Sequence, residues 1–148
     1  MKVFSITSGR ILELGSGYNS TVYLHWACFH TRRKLVTLES KQDYYKQMIN
    51  LGKYGDWHEV RFVEDWAKAD ISGEWSIALV DHSPGKRRIE EIKRLKDTTD
   101  YIIVHDTEPA EYYGYEKIWD LFKYRFDYTQ VIPNTTVLSN KHDLKGLL

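Results

Sequence analysis

The stretch "ILELGSGYNS", residues 11–20, decides the fold. An apolar run ends in two glycines one residue apart, followed by small polar residues. This pattern turns a buried strand sharply into a helix, and the glycines let a ligand approach the backbone closely. A single G-x-G is common in strand–helix loops, so the rest of the chain must say whether this one seats a ligand.

Working outward, "RILELG" reads as a short buried strand and "NSTVYLHWACFH" as a helix with Asn19 or Ser20 as its cap. "KLVTLE" (34–39) is a second strand, and "SKQDYYKQMINL" a helix capped by Ser40. "HEVRFV" (58–63) alternates as a third strand, and "WSIALVD" (75–81) reads as a strand covered on both faces. "SPGKRRIEEIKRLK" opens with Ser83 as cap and Pro84 at the first helical position. "YIIVHD" (101–106) is another buried strand, and "EYYGYEKIWDLFKY" a helix with Tyr115, Ile118, Trp119 and Phe122 on one stripe. "FDYTQVIP" and "TTVLSN" close the chain as two strands joined by a turn at Pro133–Asn134, with no room for a helix, so they pair antiparallel. The expectation is an α/β, Rossmann-like, doubly wound sheet of seven strands, mostly parallel, with an antiparallel C-terminal hairpin, forming a single domain over 1–148.

Composition agrees with such a core. The chain has 148 residues, 42% hydrophobic and 14% aromatic, too apolar for a disordered chain. Lys plus Arg and Asp plus Glu both number 21, so net charge gives no argument for nucleic acid or an anionic membrane. Cys28 is the one cysteine, which excludes an internal disulfide. No apolar run approaches the roughly 18 residues of a spanning helix, and "MKVFSITSGR" does not read as a signal peptide. The default expectation is a cytoplasmic protein without a membrane partner.

In open α/β sheets ligands bind beyond the carboxyl ends of the strands, which directs attention to Gly15, Glu39, Asp65, Asp81 and Asp106. Glu39 ends the second strand, where a carboxylate can accept from ribose hydroxyls. Position 20 is Ser where a dinucleotide fingerprint has its third glycine, which weighs against a nicotinamide-dependent oxidoreductase.

"ILELGSGYNS" followed by "LVTLES" resembles the first two motifs of class I S-adenosylmethionine-dependent methyltransferases, and the likeness extends from Arg10 to Asn140. It implies that Glu13, Gly15, Ser16 and Gly17 form the cofactor loop and that Glu39 holds the ribose. The "EDW" after the third strand is similar to the family's adenine site, implying that Asp65 accepts from the adenine amino group and Trp66 stacks on the ring. Many members carry a helical extension before the glycine loop. Here about ten residues precede it, which leaves three readings of the acceptor pocket: open, completed by a second copy in a homo-oligomer, or devoid of its original purpose.

"ALVDHSPGKRR" and "YIIVHDTEP" place Asp81, His82, His105 and Asp106 at neighbouring strand ends. Two carboxylates there suit Mg²⁺ or Ca²⁺, and the pattern resembles the metal-dependent catechol-type O-methyltransferases. The resemblance implies Asp81 and Asp106 as metal ligands, but its third ligand, an amide residue, is Thr107 here, with Glu108 as a substitute. Without a metal, Asp81, His82 or His105 is the candidate general base. Lys86, Arg87 and Arg88 crowd a helix start, against its macrodipole. They read either as a solvated face paired with Glu90 and Glu91 or as a seat for an anionic or saccharide acceptor, with Tyr112 walling the pocket. The function expected is methylation of a hydroxyl on a small polar or saccharide acceptor. The alternatives are a module that binds the cofactor without turnover and an NAD-dependent oxidoreductase.

Overall fold

A computed structural model describes residues 2–147. The chain runs through α1 (Lys2–Ser5), β1 (Ile11–Leu14), α2 (Ser20–Thr31), β2 (Leu35–Glu39), α3 (Gln42–Met48), β3 (His58–Phe62), β4 (Trp75–Val80), α4 (Arg88–Leu95), β5 (Thr99–His105), α5 (Ala110–Tyr113), β6 (Tyr124–Tyr128) and β7 (Thr135–Ser139). The strands form one seven-stranded sheet in the order β3-β2-β1-β4-β5-β7-β6. The first five strands in this order are parallel, and β7 runs antiparallel between β5 and β6. This is the expected doubly wound α/β sheet. Its order reverses between β1 and β4, so the loops after these two strands diverge and leave room for a ligand.

Strand periodicity sorts the core into two layers. Leu12, Leu14, Val36, Leu38, Ala78 and Val80 face one side, where Ile92 and Leu95 of α4, Trp66, Tyr115 and Ile118 cover them. Ile11, Leu35, Ile77 and Ile103 face the other, under Leu24 and Cys28 of α2 and Val3 and Phe4 of α1. Strands buried on both faces are largely apolar, which is why they could be located from sequence.

Three elements differ from expectation: α4 starts at Arg88 behind a 3₁₀ turn at Gly85–Arg87, so Pro84 is not its first residue and Ser83 does not cap it. The helix expected over 111–124 is broken. It stops at Tyr113 because Gly114 turns left-handed, with φ +80°, and its N–H caps the Ala110 carbonyl. Two single 3₁₀ turns follow, Tyr115–Lys117 and Trp119–Leu121, and the apolar stripe packs onto the core from these turns. Ending the helix early lets β6 start at Tyr124, two residues before the expected strand. It stops at Tyr128, so "QVIP" is turn rather than strand. The side chains of Asn19, Ser20 and Ser40 do not cap their helices. α2 and α3 begin with no side-chain cap, and the Ser40 hydroxyl donates across the sheet end to the Ser83 carbonyl.

Candidate functional site

Gly15 packs on the chain that leaves β4. Its φ is +92°, and a Cβ there would lie 2.6 Å from the backbone of His82. Only glycine allows both the left-handed turn and this approach. Gly15 N–H also donates to the Leu38 carbonyl at 2.9 Å, so the loop is pinned between β2 and β4. The next residue reaches the acid at the end of β2. Ser16 N–H and Oγ–H donate to one Glu39 oxygen at 2.7 and 2.9 Å, and Lys41 N–H to the other at 2.7 Å. Glu39 is thus held at the mouth of the glycine loop by amide donors, although it is only 3% exposed.

Glu13 is placed differently from a ligand-contacting residue. It points to the α2 face, fully buried, and accepts from the Thr37 hydroxyl at 2.8 Å. Burial pushes its carboxyl up to about 7, against the opposing pull of the Thr37, Ser20 and Thr21 hydroxyls. It lies beneath the loop rather than lining it.

Asp65 is exposed, but its carboxylate accepts from Ala67 N–H at 2.9 Å. Trp66 is buried. Its indole N–H donates to the Ser83 carbonyl at 2.9 Å and Ser40 Oγ at 3.1 Å, and its ring stacks on His82 at 4.0 Å. That face is therefore not free for a nucleobase. His82 is equally enclosed, with Nε2 3.2 Å from the buried Glu91 carboxylate, so its ring does not reach an acceptor. The indole ties the chain after β2 to the chain after β4, a link no local pattern in the sequence could reveal.

Asp81, His105 and Asp106 do come together. His105 Nδ1 lies 2.9 Å from Asp106 Oδ1 and 3.7 Å from Asp81 Oδ1, and all three side chains are about one-third exposed. Asp106 adopts a left-handed φ of 56°, a strained conformation for a residue with a Cβ. Between the aspartates lies Arg88. Its guanidinium is 2.8 Å from Asp81 and 3.4 Å from Asp106, and it donates to the carbonyls of His82 and His105 at 2.8 and 2.9 Å. Tyr115 Oη closes this ring at 3.5 Å. Burial pushes the Asp81 carboxyl above its ordinary value, while Arg88 and His105 pull it back.

Arg88 also changes what the cluster can bind. Asp81, His105 and Asp106 present donor atoms within 4.8 Å of one another, as a metal would require. Yet both carboxylates already face a buried cation. The two residues considered as third ligand are committed elsewhere. The Thr107 and Thr136 hydroxyls pair at 3.1 Å, and the Glu108 carboxylate accepts from Asn134 N–H at 2.6 Å. A divalent ion would stand against an arginine and without its third ligand, so this donor set does not fit Mg²⁺.

Among known proteins, likeness is found with solved structures alone. No protein-family model matches the chain, and no curated protein matches it. Solved structures do. Cofactor-bound Rv0187 from MTB superposes with a TM-score of 0.70 at 15% identity, over 95% of this chain and 77% of that one. A methyltransferase from Pyrococcus furiosus gives 0.66 at 12% identity, over 95% and 80%. The N-terminal domain of human METTL16 in complex with SAH gives 0.60 at 12% identity. This chain spans 92% of itself but only 63% of that domain in the alignment. The chain shares the Rossmann-like α/β fold of these structures.

The cationic run then separates into unlike parts. Arg88 is buried and committed to the two aspartates, so it is not available to an anionic acceptor. Arg87 pairs with Glu91 one helical turn on, at 3.1 Å. Lys86 is exposed and lies over the ring of Tyr112, itself 60% exposed, at 5.1 Å. Lys86 and Tyr112 alone of these four face solvent as a rim. Among the described residues no helix is long and apolar enough to cross a membrane.

Proposed function

We propose that the chain is an S-adenosylmethionine-dependent methyltransferase, acting without a metal on a hydroxyl of a small polar or saccharide acceptor. One observation carries the reading: the glycine loop and the acid of the second strand meet through Ser16 and Glu39. That junction, with the fold, matches a seat whose loop cradles the methionine part and whose carboxylate takes the ribose. When bound, the cofactor supplies a methyl sulfonium that is already electrophilic. The protein's own contribution is to orient the acceptor and remove its proton.

Asp81 suits that task. Its carboxyl is held above the ordinary range by burial, which makes the carboxylate a stronger base, and Arg88 fixes its orientation. His105, on the next strand, is the neighbour that can relay the proton to solvent. Lys86 and Tyr112 supply a cationic and aromatic rim suited to polar rings. The Ser16 hydroxyl bond to Glu39 is the one a ribose hydroxyl replaces, leaving the Ser16 amide in place.

Calorimetry with S-adenosylmethionine and its demethylated product tests the reading. Binding of both, lost in Glu39→Ala with the fold retained, supports it; no heat from either at high protein concentration sinks it. A second reading is a module that holds the cofactor without turnover. It is favoured by the two engaged oxygens of Glu39 and the occupied face of Trp66. Transfer of labelled methyl to a panel of hydroxylated acceptors separates the two. Enhancement of NADH fluorescence would instead favour the oxidoreductase.

A further inference from the structure

Beneath the glycine loop, on the α2 face of the sheet, a chain of polar side chains crosses three strands. Glu13 of β1 and Thr37 of β2 are register partners, and Thr37 Oγ1 lies 2.8 Å from Glu13 Oε2. His58 of β3 places Nε2 2.9 Å from Thr37 Oγ1, and its Nδ1 lies 3.0 Å from Nδ1 of His25 on α2. All four residues are at most 2% exposed.

Hydrogen counting offers this chain two end-to-end arrangements. A hydroxyl has one proton to give, and a neutral imidazole one. With Glu13 ionised, Thr37 donates to it and must accept from His58 Nε2–H. His58 Nδ1 is then bare and must accept from His25 Nδ1–H. With one more proton on Glu13, carried on Oε2, every bond reverses. The carboxyl donates to Thr37, Thr37 to His58 Nε2, and His58 Nδ1–H to His25 Nδ1, which leaves the His25 proton on Nε2. Burial holds His58 down to about 4 and pulls His25 below its ordinary value, which favours neutral rings beside the carboxyl.

We infer that Glu13, Thr37, His58 and His25 form a single-proton register under the glycine loop, in which protonation of Glu13 switches the tautomer of both histidines together. The geometry leaves little else to respond. Glu13 Oε1 has no hydrogen-bond partner, and the Ser20 and Thr21 hydroxyls of α2 act on the carboxyl from the loop side. Asp81, at the end of β4, acts on Glu13 only through space. The Cys28 thiol of α2 is pushed up to about 11 by burial and stays protonated. On the outer side of His25 lie the rings of Trp26 and Trp57, and the Trp57 indole donates to the His25 carbonyl.

The register reaches the loop through one residue. Thr21 faces Glu13 and its Oγ1 accepts from Gly17 N–H at 2.9 Å. Glu13 is thus a positioning residue for the loop. If the proposed methyltransferase reading holds, an ionised Glu13 below the loop favours the sulfonium form of the cofactor over its neutral product.

The test does not depend on that reading. Long-range ¹H–¹⁵N correlation of the histidine rings reports which nitrogen carries the proton. Between pH 5 and 9 the wild type is expected to move His58 from Nδ1–H to Nε2–H and His25 from Nε2–H to Nδ1–H, with one shared midpoint near 7. Glu13→Gln, which keeps volume and removes the charge, is expected to freeze both tautomers across the range. Thr37→Val is expected to cut the histidines off from the carboxyl. Tautomers that stay fixed in the wild type, midpoints that differ between the two rings, or a switch that survives Glu13→Gln would each overturn the register.

Discussion

Glu13 makes a quantitative stability prediction. Its carboxyl titrates at about 7 in the folded protein against an ordinary value of 4.5. An acid with a raised folded pKa favours folding while protonated, so this contribution is complete below about pH 4.5 and is lost as pH rises through about 7. At roughly 1.4 kcal/mol per pH unit, the interval from 4.5 to about 7 amounts to about 3 kcal/mol, most of it lost between pH 5 and pH 8. The side chain is fully buried, so solvent screening removes little of this. Other groups titrate in the same window, so the assay is a difference: urea denaturation of wild type and Glu13→Gln at several pH values, with stability of the wild type subtracted from that of the variant. The difference should grow by about 2–3 kcal/mol in favour of the glutamine variant from pH 5 to 8. A flat difference would show that Glu13 is ionised throughout and would refute the argument from burial.

Three further outcomes follow from the site. Gly15→Ala should destabilise by about 2–4 kcal/mol in denaturant melts, because it combines a left-handed φ with a Cβ against the His82 backbone. Arg88→Ala leaves Asp81 and Asp106 facing each other and should cost about 3–5 kcal/mol of stability, while wild-type cofactor binding and methyl transfer should be unchanged by chelator. Loss of activity in chelator, restored by Mg²⁺, would reject the arginine as the site's cation. Asp81→Asn should lower methyl transfer by about 10²–10⁴-fold with cofactor binding retained, and should remove the rising limb of the pH–rate profile that Asp81 creates as it loses its proton.

What the sequence made legible is what one strand can signal by itself. β1, β2, β4 and β5 are buried on both faces and announce themselves as apolar runs. Gly15, Glu39, Asp81 and Asp106 stand within two residues of the ends of such runs, so their shared edge of the sheet could be read. Contacts between elements had no such signal. Arg88 lies in a run of cations at a helix start, which reads as a solvated face, and its partners are seven residues before and eighteen after it. Trp66 sat in a motif that suggested stacking on a ligand, but its ring is used to join two loops. The helix over 111–124 failed at Gly114, where a conformational preference outweighed the apolar stripe. The register under the loop did leave a trace: Glu13 and Thr37 are polar residues inside otherwise apolar strands, and such positions require partners.

The placement of Arg88 bears on the chemistry more than any other departure. A metal between two strand-end aspartates would coordinate the acceptor and acidify it directly. A guanidinium with both aspartates and two backbone carbonyls as partners has its donors committed to protein atoms, so its role is to hold Asp81 in place while leaving that carboxylate's exposed side free. It also lowers Asp81 toward ionisation, opposing the burial that raises it. A carboxylate poised by two opposing effects can accept a proton from an incoming hydroxyl. A site that works this way gains its base from burial and its geometry from arginine, with metal required for neither, and its activity should depend on pH through Asp81 and not on divalent cations.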